Sequence, residues 1–346
     1  MINAANNSSK LSCHPRNLLS GINRIGRFPL KDCGNDIRLH EDDGRISVHI
    51  EGAGIAGQVL HRELSLRGIP SRLTDRAKFP REKVCGGVLQ WDSWQYLKSR
   101  FGLEYRPKLI ESVSHYWRGQ KIATHRLPKP MVYVPRVSLD EALWKHRPCP
   151  GTISSGTLRV SAKGASHGSE GDWLGFQACS APVNDLEMHY GRGICAGISP
   201  VPEGNSHLAF IVRRDRFRRA ADLEIFLSEE LKIRVIGPLK GTGRIRYGYT
   251  QDPLAVGDAK LTTFPFLGLG MKHAILSSRL LAEKISQKDI PSYGAAHRRQ
   301  FRKYRLFSAL VGKIYDSPFQ LALKMLIRNE FLFLRAYRWL HGNSDD

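Results

Sequence analysis

The sequence predicts an α/β fold with α+β elements: a parallel βαβ unit, an inserted antiparallel sheet and a helical C-terminus. Three observations predict it. From Arg45 the chain reads RISVHIEGAGIAGQVLHRELSLRGIPSRLTDRA, an alternating apolar strand, a glycine turn, a helix stopped at Gly68 and a second strand. Downstream lie two pairs of strand-like runs parted by turn residues. SVSHYW and KIATHRL flank Arg118-Gly119-Gln120, and the two halves of GICAGISPVPEGNSHLAFIVRR flank Pro202-Glu203-Gly204-Asn205. The last quarter of the chain is mainly helical in pattern.

The 346 residues are 41% hydrophobic and 25% charged, enough for one large domain or two modest ones, which excludes disorder and collagen. Lys plus Arg number 53 against 32 acids, so the formal charge is 53 − 32 = +21. Nucleic acid, an anionic membrane surface and phosphate-rich ligands are all drawn to such a chain, and composition does not choose among them. No run reaches the roughly 18 apolar residues of a membrane span. The start, MINAANNSSKLSCHPRNLL, lacks an apolar core followed by a small-residue cleavage site, so a soluble cytoplasmic protein is expected. Cys13, Cys33, Cys85, Cys149, Cys179 and Cys195 lie far apart without a C-x-x-C pair, which predicts that most are free thiols. The histidines show no H-E-x-x-H or zinc spacing, and no metal is expected.

Residues 1–44 are polar and lack a sustained period, reading as an N-terminal arm. Gly52-x-Gly54-x-x-Gly57 then follows a predicted strand and opens a predicted helix, the Rossmann-like context in which this pattern binds a dinucleotide. Gly52 permits the tight turn, Gly54 lets backbone approach a pyrophosphate, and Gly57 lets helix and strand pack closely. The helix N-terminus stabilises the phosphate charge. A carboxylate should follow about 20 residues on to accept ribose hydroxyls, and Asp75 stands there, in Leu73-Thr74-Asp75-Arg76.

After Asp75 comes Arg76-Ala77-Lys78-Phe79-Pro80-Arg81-Glu82-Lys83-Val84-Cys85-Gly86-Gly87. This resembles the F-P-R-x-K-x-C-G-G segment of the geranylgeranyl reductase-like FAD oxidoreductases, relatives of the para-hydroxybenzoate hydroxylase type of flavoprotein. Far downstream, Gly257-Asp258-Ala259 followed by Phe264-Pro265-Phe266-Leu267-Gly268-Leu269-Gly270 resembles the family's G-D-A motif and its P-x-x-G-x-G helix start. The resemblance implies a Rossmann-like FAD-binding domain with an inserted antiparallel-sheet substrate domain. It assigns cofactor contacts to Gly52, Gly54, Gly57, Asp75, Arg76, Lys83, Gly86, Gly87, Gly257, Asp258, Pro265, Gly268 and Gly270. Arg136, in Arg136-Val137-Ser138-Leu139-Asp140, is similar to the family's R-x-x-x-D-x-x-L helix, whose arginine lies near the cofactor. A surface salt bridge explains it equally well.

The chain departs from the family in two places. Ala162-Lys163-Gly164 carries lysine where the family has A-D-G, although a lysine can also meet a phosphate directly. The stretch LDEALWKHRPCPGTISSGTLRV supplies only a helix and about one strand where several strands are usual, so the FAD domain is cut down. The domain division is residues 45–106, 130–170 and 245–290 for the cofactor, 107–129 and 171–244 for the substrate-domain sheet, and 291–346 for the helical C-terminal region.

A flavin brings its own chemistry, so no catalytic side chain is obligatory. Cys85 is the candidate, because in the resembled reductases this cysteine lies on the flavin's substrate side. A reactive thiol needs a positive neighbour, and Arg81 and Lys83 are near in sequence. The alternative is a small buried residue that lets the chain pass the flavin. Asp172–Ala178 resembles the strand entering the substrate domain, with aromatics that line an apolar pocket or pack the core. In SPFQLALKMLIRNEFLFLRAYRWLHG, a helical wheel gathers Lys324, Arg328, Arg335 and Arg338 into one stripe opposite a broad apolar face, as suits either a buried helix with a wet edge or peripheral membrane contact. The expectation is an FAD-dependent oxidoreductase that reduces or hydroxylates an apolar or aromatic metabolite, with NAD(P)H or another donor. The alternative is a flavin-binding, non-catalytic partner in a biosynthetic complex. A tryptophan-halogenase-like reading lacks its W-x-W-x-I-P motif. Arg213, Arg214, Arg216, Arg298, Arg299 and Arg302 form basic patches without a zinc finger or RNP-like sequence, so no specific nucleic acid is expected. Oligomeric state has no signature in the sequence.

Overall fold

The computed structural model describes residues 46–152, 156–165, 172–217, 220–250, 252–265, 268–314 and 320–342. The proposed N-terminal arm lies outside them. The chain opens with β1 (Val48–Glu51), α1 (Ile55–Leu66) and β2 (Ser71–Thr74), the predicted βαβ unit. Gly68 ends α1 as expected. It takes a left-handed φ of 68°, and the Gly68 and Ile69 amides donate to the carbonyls of Ser65 and Leu64. β3 (Val88–Gln90), α2 (Trp91–Phe101), β4 (Lys108–Trp117), β5 (Gln120–Tyr133), α3 (Arg136–Lys145) and β6 (Leu158–Ser161) follow.

β1 pairs in parallel with β2 on one side and β6 on the other, giving a three-stranded sheet in the order β2-β1-β6. A single bridge from Ser161 to Ala255 adds the segment leading to Gly257. The stretch between Asp140 and Ala162 therefore contributes one helix and one strand, as its length predicts.

β7 (Trp173–Ser180), β8 (Leu186–Gly191), β9 (Ile194–Ser199), β10 (Ser206–Arg213), α4 (Ala220–Glu229) and β11 (Val235–Ile245) build the second region. Its eight-stranded sheet has the order β11-β7-β10-β9-β8-β4-β5-β3 and is antiparallel except between β4 and β8. Both expected hairpins are present: β4 and β5 turn at Arg118-Gly119, both at positive φ, and β9 pairs with β10. The sheet also takes in residues 88–90 and 130–133, which the sequence division gave to the cofactor domain.

A short pair, β12 (Gly248–Tyr249) and β13 (Leu261–Thr262), leads into α5 (Leu269–Ser286), α6 (Tyr293–Gln300), α7 (Arg302–Ile314), α8 (Gln320–Arg328) and α9 (Glu330–His341). The tail drawn on one wheel is thus two helices. Asn329 separates them, its side chain accepting from the Leu332 amide to cap α9.

α1, α2, α3 and α5 bury Val59, Leu60, Leu97, Leu139 and Ile275 against Val48 and Ile50. Each such side chain is worth about 1.5–3 kcal/mol. A second core joins the sheet residues Val113, Met188 and Ile211 to Ile327, Phe333 and Tyr337 of the last two helices. Of the described cysteines, Cys85 and Cys195 are in no disulfide, whereas Cys149 and Cys179 are disulfide-bonded, so the expectation of mostly unbridged thiols holds for only half of them. No helix among the described residues is long and apolar enough to cross a membrane.

Candidate active site

The carboxyl ends of the parallel strands meet at one crevice, the usual ligand position of an open α/β sheet. β1 runs into Gly52, whose amide donates to Thr74 O at 2.7 Å, while Ala162 N donates to Glu51 O at 2.8 Å. The glycines answer to contact geometry. A Cβ on Gly57 would lie 1.9 Å from Gly52 O, and one on Gly52 (φ 110°) would lie 2.5 Å from Ala162 O, so neither position has room for a side chain. Gly54 precedes α1 with its bare face toward two cations: a Cβ there would sit 3.4 Å from Arg81 Nη2 and 3.9 Å from Lys83 Nζ. The amides of a first helical turn have no partner within the helix. Turn, helix terminus and cations together make an anion seat.

Lys83 has no ion pair among the described residues. Burial in the cleft pulls its pKa below the ordinary lysine range, and Arg136 adds to that, while Asp258, Asp140 and Cys85 oppose it. Arg136 is no surface residue: it is buried and forks onto Asp140 with contacts of 2.8–3.0 Å. Burial works against its charge, but Asp140 and then Cys85 outweigh burial and hold the guanidinium above its ordinary range. Across the cleft Asp258 is pushed up by burial and drawn back by Lys83 and Arg136. Gly268, left-handed at φ 79°, starts α5, and a Cβ on Gly270 would lie 3.6 Å from Thr263 Oγ1 and 3.9 Å from Asp258 Oδ1.

One cleft gathers Gly54, Lys83, Cys85, Gly86, Gly87, Arg136, Asp258, Pro265, Gly268 and Gly270. Its other end is apolar, walled by Leu186, Met188, Cys195, Phe210, Ile211, Ile245 and Tyr247. Gly52, Gly57 and Gly257 lie behind this surface as packing positions. Asp75 also stands back: its carboxylate accepts from the Ala53 amide at 2.6 Å and the Ala77 amide at 2.9 Å, so it braces the glycine turn. Arg76 is exposed and outside the cleft. Lys163, which departs from the family's aspartate, points to solvent, 64% exposed and 2.5 Å from Glu51.

Arg136 is the cation that hydrogen-bonds Cys85, and of its sequence neighbours Lys83 also interacts with the thiol. Backbone contacts tie the Cys85-Gly86 segment to the large sheet. Cys85 N donates to Gln177 Oε1 at 3.3 Å, His207 Nε2 donates to Cys85 O at 2.7 Å, and Ser199 Oγ donates to Gly86 O at 3.1 Å. Of the predicted aromatics in β7, Phe176 lines the cleft, while Trp173 packs edge-on to Tyr247 and Phe264 in the core.

Three further residues belong to the site: Arg81, named in the sequence only as a neighbour of Cys85, and two that sequence reasoning did not single out. Arg81 Nη2 stands 3.6 Å from both Asp75 and Asp140 and carries a buried, unpartnered Nε. Its signal was its place in the same F-P-R-x-K run. Thr263 Oγ1 and Tyr247 OH line the cleft as buried polar atoms with no partner. Thr263 lies just ahead of the Pro265 motif, whereas Tyr247 has no local signature. No group of three or more potential metal ligands occurs among the described residues.

No protein-family model matches the chain, and no curated protein does so. Solved structures do. The flavin-dependent brominase Bmp2 is similar with a TM-score of 0.66 at 16% identity, over 86% of this chain and 94% of that one. A geranylgeranyl bacteriochlorophyll reductase-like protein from Thermoplasma acidophilum gives 0.67 at 14%, over 86% and 97%. PqsL, a probable FAD-dependent monooxygenase from Pseudomonas aeruginosa, gives 0.58 at 14%, over 85% and 99%. The fold is therefore the one these three solved structures share: a Rossmann-like half, an inserted antiparallel sheet and a helical C-terminus.

Proposed function

We propose that the chain is an FAD-dependent oxidoreductase acting on an apolar or aromatic metabolite, by double-bond reduction or hydroxylation, with NAD(P)H or another donor recharging the flavin. One observation carries the reading: an unpaired, desolvated Lys83 faces a glycine turn at one end of a cleft whose other end is apolar. A half-buried, desolvated cation without an ion partner is costly unless an anion meets it, and a dinucleotide pyrophosphate against the α1 terminus is such an anion. Asp258, Thr263 and the Gly268–Gly270 turn offer polar and close-approach positions for the rest of the cofactor. When bound, FAD supplies hydride transfer and, once reduced, chemistry with oxygen.

The chain's own residues bind, orient and exclude water. Leu186, Met188, Cys195, Ile211 and Ile245 form a wall that favours a flat or chain-like apolar substrate. Burial, with smaller contributions from Cys195 and Asp258, raises the Tyr247 pKa far above its usual value, so the phenol keeps its proton and is a hydrogen-bond donor. Arg136 presents fixed positive charge beside Cys85.

A non-catalytic, flavin-binding partner protein is the second reading, favoured by the three-stranded parallel sheet and by Lys163 turned away from the cleft. An anaerobic absorbance spectrum of the purified protein, before and after NADPH, separates the two. A flavin spectrum bleached by NADPH, with product formed from an apolar acceptor, is the expected result. Bound flavin that no donor turns over would leave the partner reading. Protein that takes up no added FAD would overturn both.

A further inference from the structure

We infer that the outer face of α7, α8 and α9 is a docking surface for an anionic lipid membrane. Eleven large hydrophobic residues are exposed among the described residues; Leu66, Leu109 and Ile225 lie elsewhere, leaving eight on these three helices. Leu321, Met325 and Phe331 are 67%, 71% and 69% exposed. Scattered single exposures are ordinary, but a contiguous group marks an interaction site.

The inner faces of α8 and α9 are already used, because Ile327, Phe333 and Tyr337 are buried against the large sheet, and His125 Nε2 donates to Ile327 O at 2.7 Å. Packing within the fold therefore accounts for that side alone. On α9, Phe331, Arg335, Arg338 and Trp339 recur at i, i+4, i+7 and i+8 and share the opposite face. Arg302, Arg305, Leu306 and Leu310 repeat the arrangement on α7. A groove joins the two faces: Leu306 and Trp339 line it with Arg299, Arg302 and Lys303, and it contains no acidic residue. Lys303 is held there by donating to Gly342 O at 2.8 Å. Glu330 is the one acid in α7–α9 among the described residues.

Charge selects the occupant. Two copies of this face would bring arginine stripes together, which opposes self-association. Nucleic acid would satisfy the arginines but would leave Leu310, Leu321 and Met325 without a stacking role. An anionic bilayer surface satisfies both, with cations at the headgroups and the apolar side chains at the acyl boundary. Since no described helix can span a bilayer, the contact is a surface one.

The test is co-sedimentation of the full chain with vesicles of phosphatidylcholine alone and of phosphatidylcholine mixed with phosphatidylglycerol. Binding is expected to the mixed vesicles only, and to fall as salt rises. Arg335→Gln and Arg338→Gln should each weaken it about fivefold, and Phe331→Ser and Met325→Ser should weaken it without moving the thermal melting point, since both side chains are exposed. Equal binding to the two vesicle types, or variants that bind as well as the parent, would overturn the proposal. So would a dimer in sedimentation velocity that Phe331→Ser dissolves, or duplex DNA that outcompetes the vesicles.

Discussion

The two ends of the cleft are built in opposite ways. At the glycine end, α3 and the loop after β2 hold Arg136, Asp140, Arg81 and Asp75 in a charge network, with Lys83 beside it, around a turn in which Gly52 and Gly57 admit no Cβ. At the other end an eight-stranded sheet supplies apolar side chains from neighbouring strands, and its buried polar groups are imidazoles, phenols, serine hydroxyls and an amide rather than fixed charges. The first end depends on a few irreplaceable positions. The second depends on summed burial, so its individual contacts are exchangeable while its protonation state is not.

The sharpest way to break the first end is to remove Asp140. Asp140→Ala leaves Arg136 buried without its partner, which should cost about 3–5 kcal/mol of stability in urea unfolding, far more than any single apolar exchange in the wall. Acid should have the next largest effect, through imidazoles buried in the large sheet and in α5. Burial lowers His115 to about 3, with His125 adding to the effect, and burial lowers His273 to about 3 as well. The unfolded chain takes up protons on such groups from about pH 6.5 downward while the folded chain does not. Stability should therefore fall as pH drops from about 6.5 toward 3, on the order of 2–3 kcal/mol per imidazole once water penetration is allowed for. Melting curves across that range test it, and His115→Phe should flatten the dependence.

Much of the first end was legible in the sequence because its demands are local. Gly52, Gly54 and Gly57 stand at fixed spacing, and Cys85, Gly86 and Gly87 follow in one run. Burial was not legible: Asp75 and Lys163 sit at the expected positions in the chain, yet one braces the turn and the other faces Glu51. The second end hid more. Leu186, Cys195, Ile211 and Tyr247 come together through strand pairing over long separations, and no motif marks residues whose only shared property is a common wall. The break at Asn329 was readable in principle, since asparagine is a strong helix N-cap, but one continuous wheel passed over it.

Two smaller effects refine the contrast. Lys83→Met removes a half-buried cation that has no ion pair among the described residues, so unfolding stability should hold or rise while FAD affinity falls about 10- to 100-fold, the worth of a charged hydrogen bond of about 1.5–3 kcal/mol. Flavin fluorescence titration measures it. Tyr247→Phe should change stability by less than about 1 kcal/mol, because the hydroxyl has no protein partner to lose. Its effect should instead be seen in turnover or ligand affinity.

The three hydrogen bonds between the Cys85-Gly86 backbone and the side chains of Gln177, which accepts, and Ser199 and His207, which donate, have a practical consequence for redesign. They stitch the cofactor-side loop to β7, β9 and β10, the strands an engineer would mutate to admit a new substrate. A library that varies these three positions shifts the loop along with the wall, so on the proposed FAD function selectivity and flavin retention will be inherited together. Varying Leu186, Met188 and Ile211 while keeping the three stitches is the route by which the two traits can be selected separately.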